Sequence, residues 1–337
     1  MFIKVSGTSF SRAVSTSGTS KITVNFTKIK DKCRVQIVDD IVVNRYIDIT
    51  QTDNQDFNIT VVLDGAINLI NKNLEVILTI LGDTLMINQA AFQYIAVREP
   101  EDPVTFRLSQ DNFVSWDIGY LKSLVVDIRA LQNLGKELGE NNINVNIQNK
   151  TAVIRMSNTL YAKPLNLPDM KISADTCKAL IKHLRGNIKM MNVESEHIIV
   201  FKDDISEVIM PYTACDKTIM NTYTTLDKSI SKSVTTVDLN RFESIIDILC
   251  KAYKRTQVNL TFIDKGISIF VEGSKSKFAT GQEGKSLCSI RLSITQLAML
   301  NKILGDLSEV EVWKGSGKIC LKQKSYNKVL ILAGIVY

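Results

Sequence analysis

The sequence predicts an α+β protein of three similar domains, each made of two strand–helix–three-strand modules with helices on one face of antiparallel sheet. Three observations carry this prediction. The order strand, helix, three strands recurs along the chain, with apolar positions at helical spacing in the helices and alternating in the strands. The chain has 337 residues, too many for one ordinary core and suited to two or three. Two polar connectors, 101–117 and 213–232, separate candidate domains at 1–100, 118–212 and 233–337.

The first copy reads as a strand at 2–5, a glycine- and serine-bearing helix over 9–15, and strands at 21–27, 34–38 and 41–49. The second has a strand at 58–63, Asp64 as N-cap, a short helix over 65–72, and strands at 74–81, 85–90 and 93–98. The third reads as a strand at 124–128 leading into a helix over 129–138, with Leu131, Leu134 and Leu138 on one side and Gly139 as the stop. Ile143, Val145 and Ile147 alternate after it, Asn149 and Lys150 turn the chain, and strands follow at 152–156 and 160–164.

The fourth copy begins at 170–172. Ser173 caps a helix over 174–184 that carries Cys177, Leu180, Ile181 and Leu184, and Gly186 ends it before strands at 188–193, 197–201 and 205–211. In the fifth, a strand at 234–239 precedes a helix capped by Asp238 or Asn240, with Phe242, Ile245, Ile246, Leu249 and Tyr253 as its apolar face. Strands at 257–263, 267–271 and 277–280 complete it. The sixth has a strand at 287–292, Ser293 as N-cap, and a helix over 294–304 with Ile294, Leu297, Leu300 and Ile303 in register. Strands at 309–313, 318–323 and 327–336 close the chain. A short amphipathic helix must cover a sheet, and one such module is too small to bury its own core, so modules pair.

The composition is globular: 45% hydrophobic, 23% charged, five prolines. A net charge of +6, from 41 basic and 35 acidic residues, permits contact with a polyanion without demanding it. No apolar run approaches the roughly 20 residues of a membrane helix, and 1–14 lacks the apolar core of a signal peptide. A cytoplasmic protein with no membrane partner is expected. The six cysteines, Cys33, Cys177, Cys215, Cys250, Cys288 and Cys320, form no CxxC pair and read as reduced.

Catalytic chemistry finds no foothold. His183 and His197 are the only histidines and lie in different elements, without an HxxxH or cysteine–histidine cluster, so no metal or cofactor is expected. There is no GxxxxGK[ST] loop and no GxSxG elbow. Asp203 and Asp204 read as an exposed turn between strands. Trp116 and Trp313 read as packing at domain edges. The expectation is a protein that is not an enzyme.

Opposite the apolar stripes lie Arg129 and Lys136; Lys178, Lys182 and Arg185; Arg241, Lys251, Lys254 and Arg255; and Lys302. The second connector is polar but carries Ile219, Met220, Tyr223 and Leu226, which a bare linker would not need.

This layout resembles the bacterial-type DNA sliding clamp, the processivity subunit of replicative polymerases, over essentially the whole chain, in module order rather than in any short motif. The resemblance implies a DNA-clamp fold in which two chains close head to tail, the first domain of one meeting the third domain of the other. Helices then line a hole around duplex DNA, and the basic residues just named face it. It also implies a polymerase and a clamp loader as partners. Their peptides would insert apolar side chains into a pocket between the second and third domains. The corresponding positions here are Leu160, Tyr161 and Ala162; Ile219, Met220 and Tyr223; and Ile331, Leu332, Ile335, Val336 and Tyr337. The family's Gly-His-Arg stretch is missing from the module-three strand, and the chain ends in GIVY, so the pocket is expected to be reshaped for a dedicated phage polymerase, as in a divergent bacteriophage clamp, or to be absent, with these residues only sealing a domain boundary. A structural or assembly oligomer of a phage would use the same duplicated modules, and an enzyme with an unrecognised site stands as a third reading.

Overall fold

The computed structural model describes residues 1–337 except 15–20, 40, 107–111, 139–141, 157, 231, 239–242, 254–255, 265, 275–276, 281–284, 305–308, 316, 324–327 and 334–337. Module one comprises β1 (Phe2–Ser6), α1 (Gly7–Val14), β2 (Ile22–Ile29), β3 (Lys32–Val38) and β4 (Val42–Thr52). Module two comprises β5 (Asn58–Leu63), a 3-10 helix over Gly65–Leu69, β6 (Glu75–Leu81), β7 (Thr84–Gln89) and β8 (Phe92–Val97). Module three has β9 (Val114–Trp116), α2 (Gly119–Leu138), β10 (Asn144–Gln148), β11 (Thr151–Met156) and β12 (Thr159–Pro164). Module four has β13 (Met170–Ser173), α3 (Ala174–His183), β14 (Ile188–Val193), β15 (Ile198–Lys202) and β16 (Ser206–Pro211). The connector helix α4 (Lys217–Ser229) follows. Module five has β17 (Lys232–Val237), α5 (Glu243–Ala252), β18 (Gln257–Ile263), β19 (Gly266–Val271) and β20 (Lys277–Thr280). Module six has β21 (Cys288–Ser293), α6 (Ile294–Leu304), β22 (Val310–Gly315), β23 (Lys318–Gln323) and β24 (Lys328–Ala333).

The expected caps form. Asp64 accepts from the Ala66 amide at 2.9 Å, and Ser173 Oγ from the Thr176 amide at 3.0 Å. At α6, Ser293 Oγ accepts from the Gln296 amide at 3.1 Å while Gln296 Oε1 accepts from the Ser293 amide at 3.0 Å. This reciprocal box satisfies two amides that a helix start leaves open. Gly186, at φ +72°, turns the chain after α3. Asn240, Gly139 and Gly305 lie outside the described residues.

Three elements differ from the sequence reading. The expected strand 124–128 is the middle of α2, because Leu121, Leu124, Val125, Ile128, Leu131 and Leu134 form one buried stripe at helical spacing. The strand that precedes α2 is β9. The helix expected over 65–72 is a single 3-10 stretch. The second connector contains a helix, with Asp216 as N-cap accepting from the Thr218 and Ile219 amides.

Each module gives its first strand to its twin. In domain one, β1 pairs β6 and β5 pairs β2. In domain two, β9 pairs β14 and β13 pairs β10. In domain three, β17 pairs β22 and β21 pairs β18. All these pairs are antiparallel, and the fold is α+β with three sheet-dominated domains and helices on one sheet face.

The chain forms two compact units, Met1–Asp117 with Ala179–Pro211, and Ile118–Lys178 with Tyr212–Tyr337. In the first, the last strand of module one joins the last strand of module four, with Arg45 opposite Ser206 and Val42 opposite Ile209. Its main core gathers Phe10, Phe26, Leu63, Leu78 and Leu85 between α1 and the strands. In the second, the last strands of modules three and six join, with Leu160 opposite Ile331 and Ala162 opposite Val329. There α6 packs against both α2 and α5. Among the described residues no helix is long and apolar enough to cross a membrane.

Candidate nucleic-acid interface and partner-binding face

Exposed cations lie on α2, α5 and α6 and at the end of α3. On α2, Arg129 and Lys136 are exposed, as is Lys122 one stripe position earlier. The β-branched run at 125–126 masks Lys122 in the sequence, and the helical spacing continued back to Leu121 reveals it. Lys182 and Arg185 are exposed at the end of α3, Lys251 on α5 and Lys302 on α6. Lys178 is half-buried and pairs with Asp175 at 2.9 Å. Arg241, Lys254 and Arg255 lie outside the described residues.

A buried polar centre lies at each domain junction, on the helix-bearing side of the sheet. In the first unit, Arg45 of β4, 9% exposed, donates to the carbonyls of Arg12 and Ala13 at the end of α1. It also donates to His183 Nδ1 at 2.9 Å. One guanidinium thus closes the C-terminus of α1 and holds the end of α3. Burial, then Arg45 and Lys182, push the His183 imidazole down to about 4, so it stays neutral with Nδ1 as acceptor. Burial, then Arg12, lowers Arg45 to about 10.

In the second unit the centre is Asp127 of α2, 2% exposed. It accepts from Tyr161 Oη, from Lys163 Nζ at 3.3 Å and from Lys328 Nζ at 2.9 Å. Lys163 also donates to Ser123, and Lys328 to the Ile303 carbonyl at 3.2 Å, in the last turn of α6. Burial, then Asp127, raises the Tyr161 hydroxyl well above its usual range. Lys328 and Arg45 therefore play one part in two junctions: a cation on a joining strand satisfies a helix C-terminus of its own domain and grips a helix of the adjoining one.

The opposite faces of both junctions are covered by connectors. Val104, Phe106 and Phe113 pack on Val42, Met191, Ile198, Val200 and Ile209, and Gln36 holds both backbone polar groups of Val104. In the second unit, Ile219, Met220, Tyr223 and Leu226 of α4 pack on Val153, Leu160, Ala162, Cys320 and Ile331. The structure thus brings Leu160, Ala162, Ile219, Met220, Tyr223 and Ile331 into one cluster. Strand alternation sends Tyr161 and Leu332 to the helix-bearing face. Ile335, Val336 and Tyr337 lie outside the described residues. Lys322 sits over the Trp313 ring and pairs with Asp227 of α4 at 2.7 Å. Burial, then Asp227, pushes the Tyr223 phenol up to about 12.

Nothing in this set assembles a reaction centre. Asp203, expected in an exposed turn, is 7% exposed. It accepts from the Arg185, Ile205 and Ser206 amides, which the turn leaves open. Cys33, Cys177 and Cys320 are thiols pushed up to about 12, chiefly by burial. Among the described residues no three His, Cys, Asp or Glu side chains could hold a metal ion together.

The duplicated modules, exchanged first strands and joined last strands define a three-domain clamp fold. Solved structures that it matches include bacterial clamps. The DNA polymerase III subunit beta from Pseudomonas aeruginosa superposes with a TM-score of 0.75 at 11% identity, covering 99% of this chain and 100% of that one. The Helicobacter pylori beta clamp bound to DNA ligase peptide gives 0.70 at 16% identity, with the same coverage. The DNA polymerase sliding clamp from Caulobacter crescentus gives 0.69 at 13%, covering 99% of each chain. No protein-family model matches the sequence, and no curated protein does.

Proposed function

We propose that the chain is half of a ring-shaped sliding clamp. Two copies join head to tail, encircle duplex DNA without reading its sequence, and tether a replicative polymerase. The supporting observation is that, among the described residues, the last strands of two modules join no other domain. Domains join through last strands, β4 to β16 and β12 to β24. Among the described residues, β8 pairs only β7 and β20 pairs only β19. These are the last strands of modules two and five, at the far ends of domains 1–100 and 233–337. Pairing β8 of one copy with β20 of the other satisfies both open edges by the rule used twice within the chain, and two such contacts close a ring. Ile95 and Val97 on β8, 58% and 66% exposed, would be covered by that contact.

A ring needs no catalytic group, because its specificity is topological. Its wall need only attract phosphate weakly, as scattered lysines and arginines do. A loader that opens the ring, a cytoplasmic setting and a bacteriophage origin complete the reading. Sedimentation at micromolar concentration should give twice the chain mass, and the protein should stay on closed circular DNA and run off when the circle is cut. A monomer, or retention indifferent to cutting, would overturn the reading.

A further inference from the structure

The helix α4 occupies its sheet face on poor terms of its own. Its sequence, KTIMNTYTTLDKS, has no alanine and four threonines, and threonine is a weak helix former. The hydroxyls of Thr222, Thr224 and Ser229 bond back to carbonyls at 2.7, 3.0 and 2.8 Å, which loosens a helix further. Apart from the local cap at Asp216, what holds α4 is tertiary: its apolar stripe on the sheet, the Asp216 amide donating to Asn146 Oδ1 at its start and the Asp227–Lys322 pair near its end. A cavity of about 200 Å³ remains beside it, with Leu160, Leu226 and Ile331 in its lining together with Arg155 and Lys318. Among the described residues, neither of these two cations pairs with a carboxylate.

We propose that α4 is a displaceable strap: it holds, within the chain, a face that also receives a partner segment carrying large apolar side chains beside an acidic one, and the partner enters by displacing it. The chemistry of that segment is read from what already sits there, Met220, Tyr223 and Leu226 with Asp227 on Lys322, and from the positive charges of Arg155 and Lys318 beside the apolar opening. The inference rests on the partner-tethering part of the function proposed above and not on DNA encirclement. An intrinsically weak helix tied at both ends suits the role, because it competes only as strongly as its own folding allows.

The test uses the full chain and a labelled synthetic peptide with the chain's own 216–229 sequence. Asn221 and Thr225 are exposed on α4, so substitutions there change its helix strength while sparing the sheet contacts. Asn221→Gly with Thr225→Gly weakens the strap; Asn221→Ala with Thr225→Ala strengthens it. The peptide should bind the glycine variant most tightly, the wild type less and the alanine variant least. The span should be on the order of 20-fold, from one glycine-to-alanine step at each of two sites. Peptides carrying Met220→Asp or Asp227→Asn should bind the glycine variant at least several-fold more weakly. Equal affinity across the three chains, or no binding to any, would overturn the proposal, as would indifference to both peptide changes. Retention on closed circular DNA, measured on the same variants, is expected to be unchanged; its absence in all three, wild type included, would count against the clamp reading alone.

Discussion

Replacing Asp127 with asparagine keeps the shape of the side chain and removes the one negative charge in a centre that holds two lysines. Asp127 is 2% exposed, Lys163 4% and Lys328 9%, so neither ammonium can turn to bulk water without moving a strand. Removing one partner of a buried ion pair costs about 3–5 kcal/mol, because the remaining charge is left uncompensated. The alternative is for a lysine to lose its proton. From an ordinary value of 10.5 that costs about 5 kcal/mol at neutral pH. Lys163 is the lysine that would do so, because burial already lowers it. Both routes give a loss of about 3–5 kcal/mol, confined to the second unit. Lys328 also holds the Ile303 carbonyl, so α6 should loosen with it. Denaturant unfolding followed by Trp313 fluorescence reads the loss, and hydrogen exchange locates it at α2, α6, β12 and β24. The combined change Asp127→Leu, Lys163→Met and Lys328→Met should recover most of it, since apolar side chains of similar volume replace a buried ionic cluster at little cost. A loss below about 1 kcal/mol for Asp127→Asn would refute the claim that this carboxylate is what makes the two lysines tolerable.

His183 should make the first unit acid-sensitive. Its folded value of about 4 lies below the usual 6.5, so the stability is present above the unfolded value and is lost as pH falls toward the folded one. The loss near pH 5 should be about 1–2 kcal/mol after allowing for partial exposure. His183→Gln should flatten the pH dependence of unfolding, and an unchanged slope would exclude this histidine as the cause. Changing Arg129, Lys182, Arg185, Lys251 and Lys302 together to glutamate should abolish retention on closed circular DNA with little change in melting temperature; full retention would show that these faces do not meet DNA. Ile95→Glu with Val97→Glu on β8 should weaken self-association at least tenfold in sedimentation, and an unaltered dimer would move the interface elsewhere.

Much of the fold was legible because its signals are local. Caps at Asp64, Ser173 and Ser293 lie within three residues of the amides they serve, and the alternation of Val258, Leu260 and Phe262 faces one core. Signals that depend on distant partners were not legible. The chain from 124 to 128 reads as a strand because Val125 and Val126 are β-branched, and only the continuation to Leu121 shows a helix. The threonines of α4 speak against a helix, and packing on a sheet overrides them. Asp203 looks like a loop residue until the three amides around it are counted. The centre at Asp127 was invisible for the same reason, since Lys328 lies 201 residues further on. Of the residues that the resemblance assigns to partner binding, those on alternate positions of β12 and β24 separate onto two faces, which strand periodicity foretells only once the pairing register is known.

The exchange of first strands has a consequence during synthesis. β1 leaves the ribosome well before its neighbour β6, which lies roughly 75 residues later, with Phe2 opposite Thr79. At about 5–20 residues per second, some 4–15 seconds pass before that edge can be covered. β9 and β17 wait about as long for β14 and β22. A nascent domain therefore cannot close module by module, and each half-made domain presents an open apolar edge until its twin arrives. Cells that make this chain quickly would hold a standing population of such edges, each open to pairing with another nascent chain until its twin module emerges.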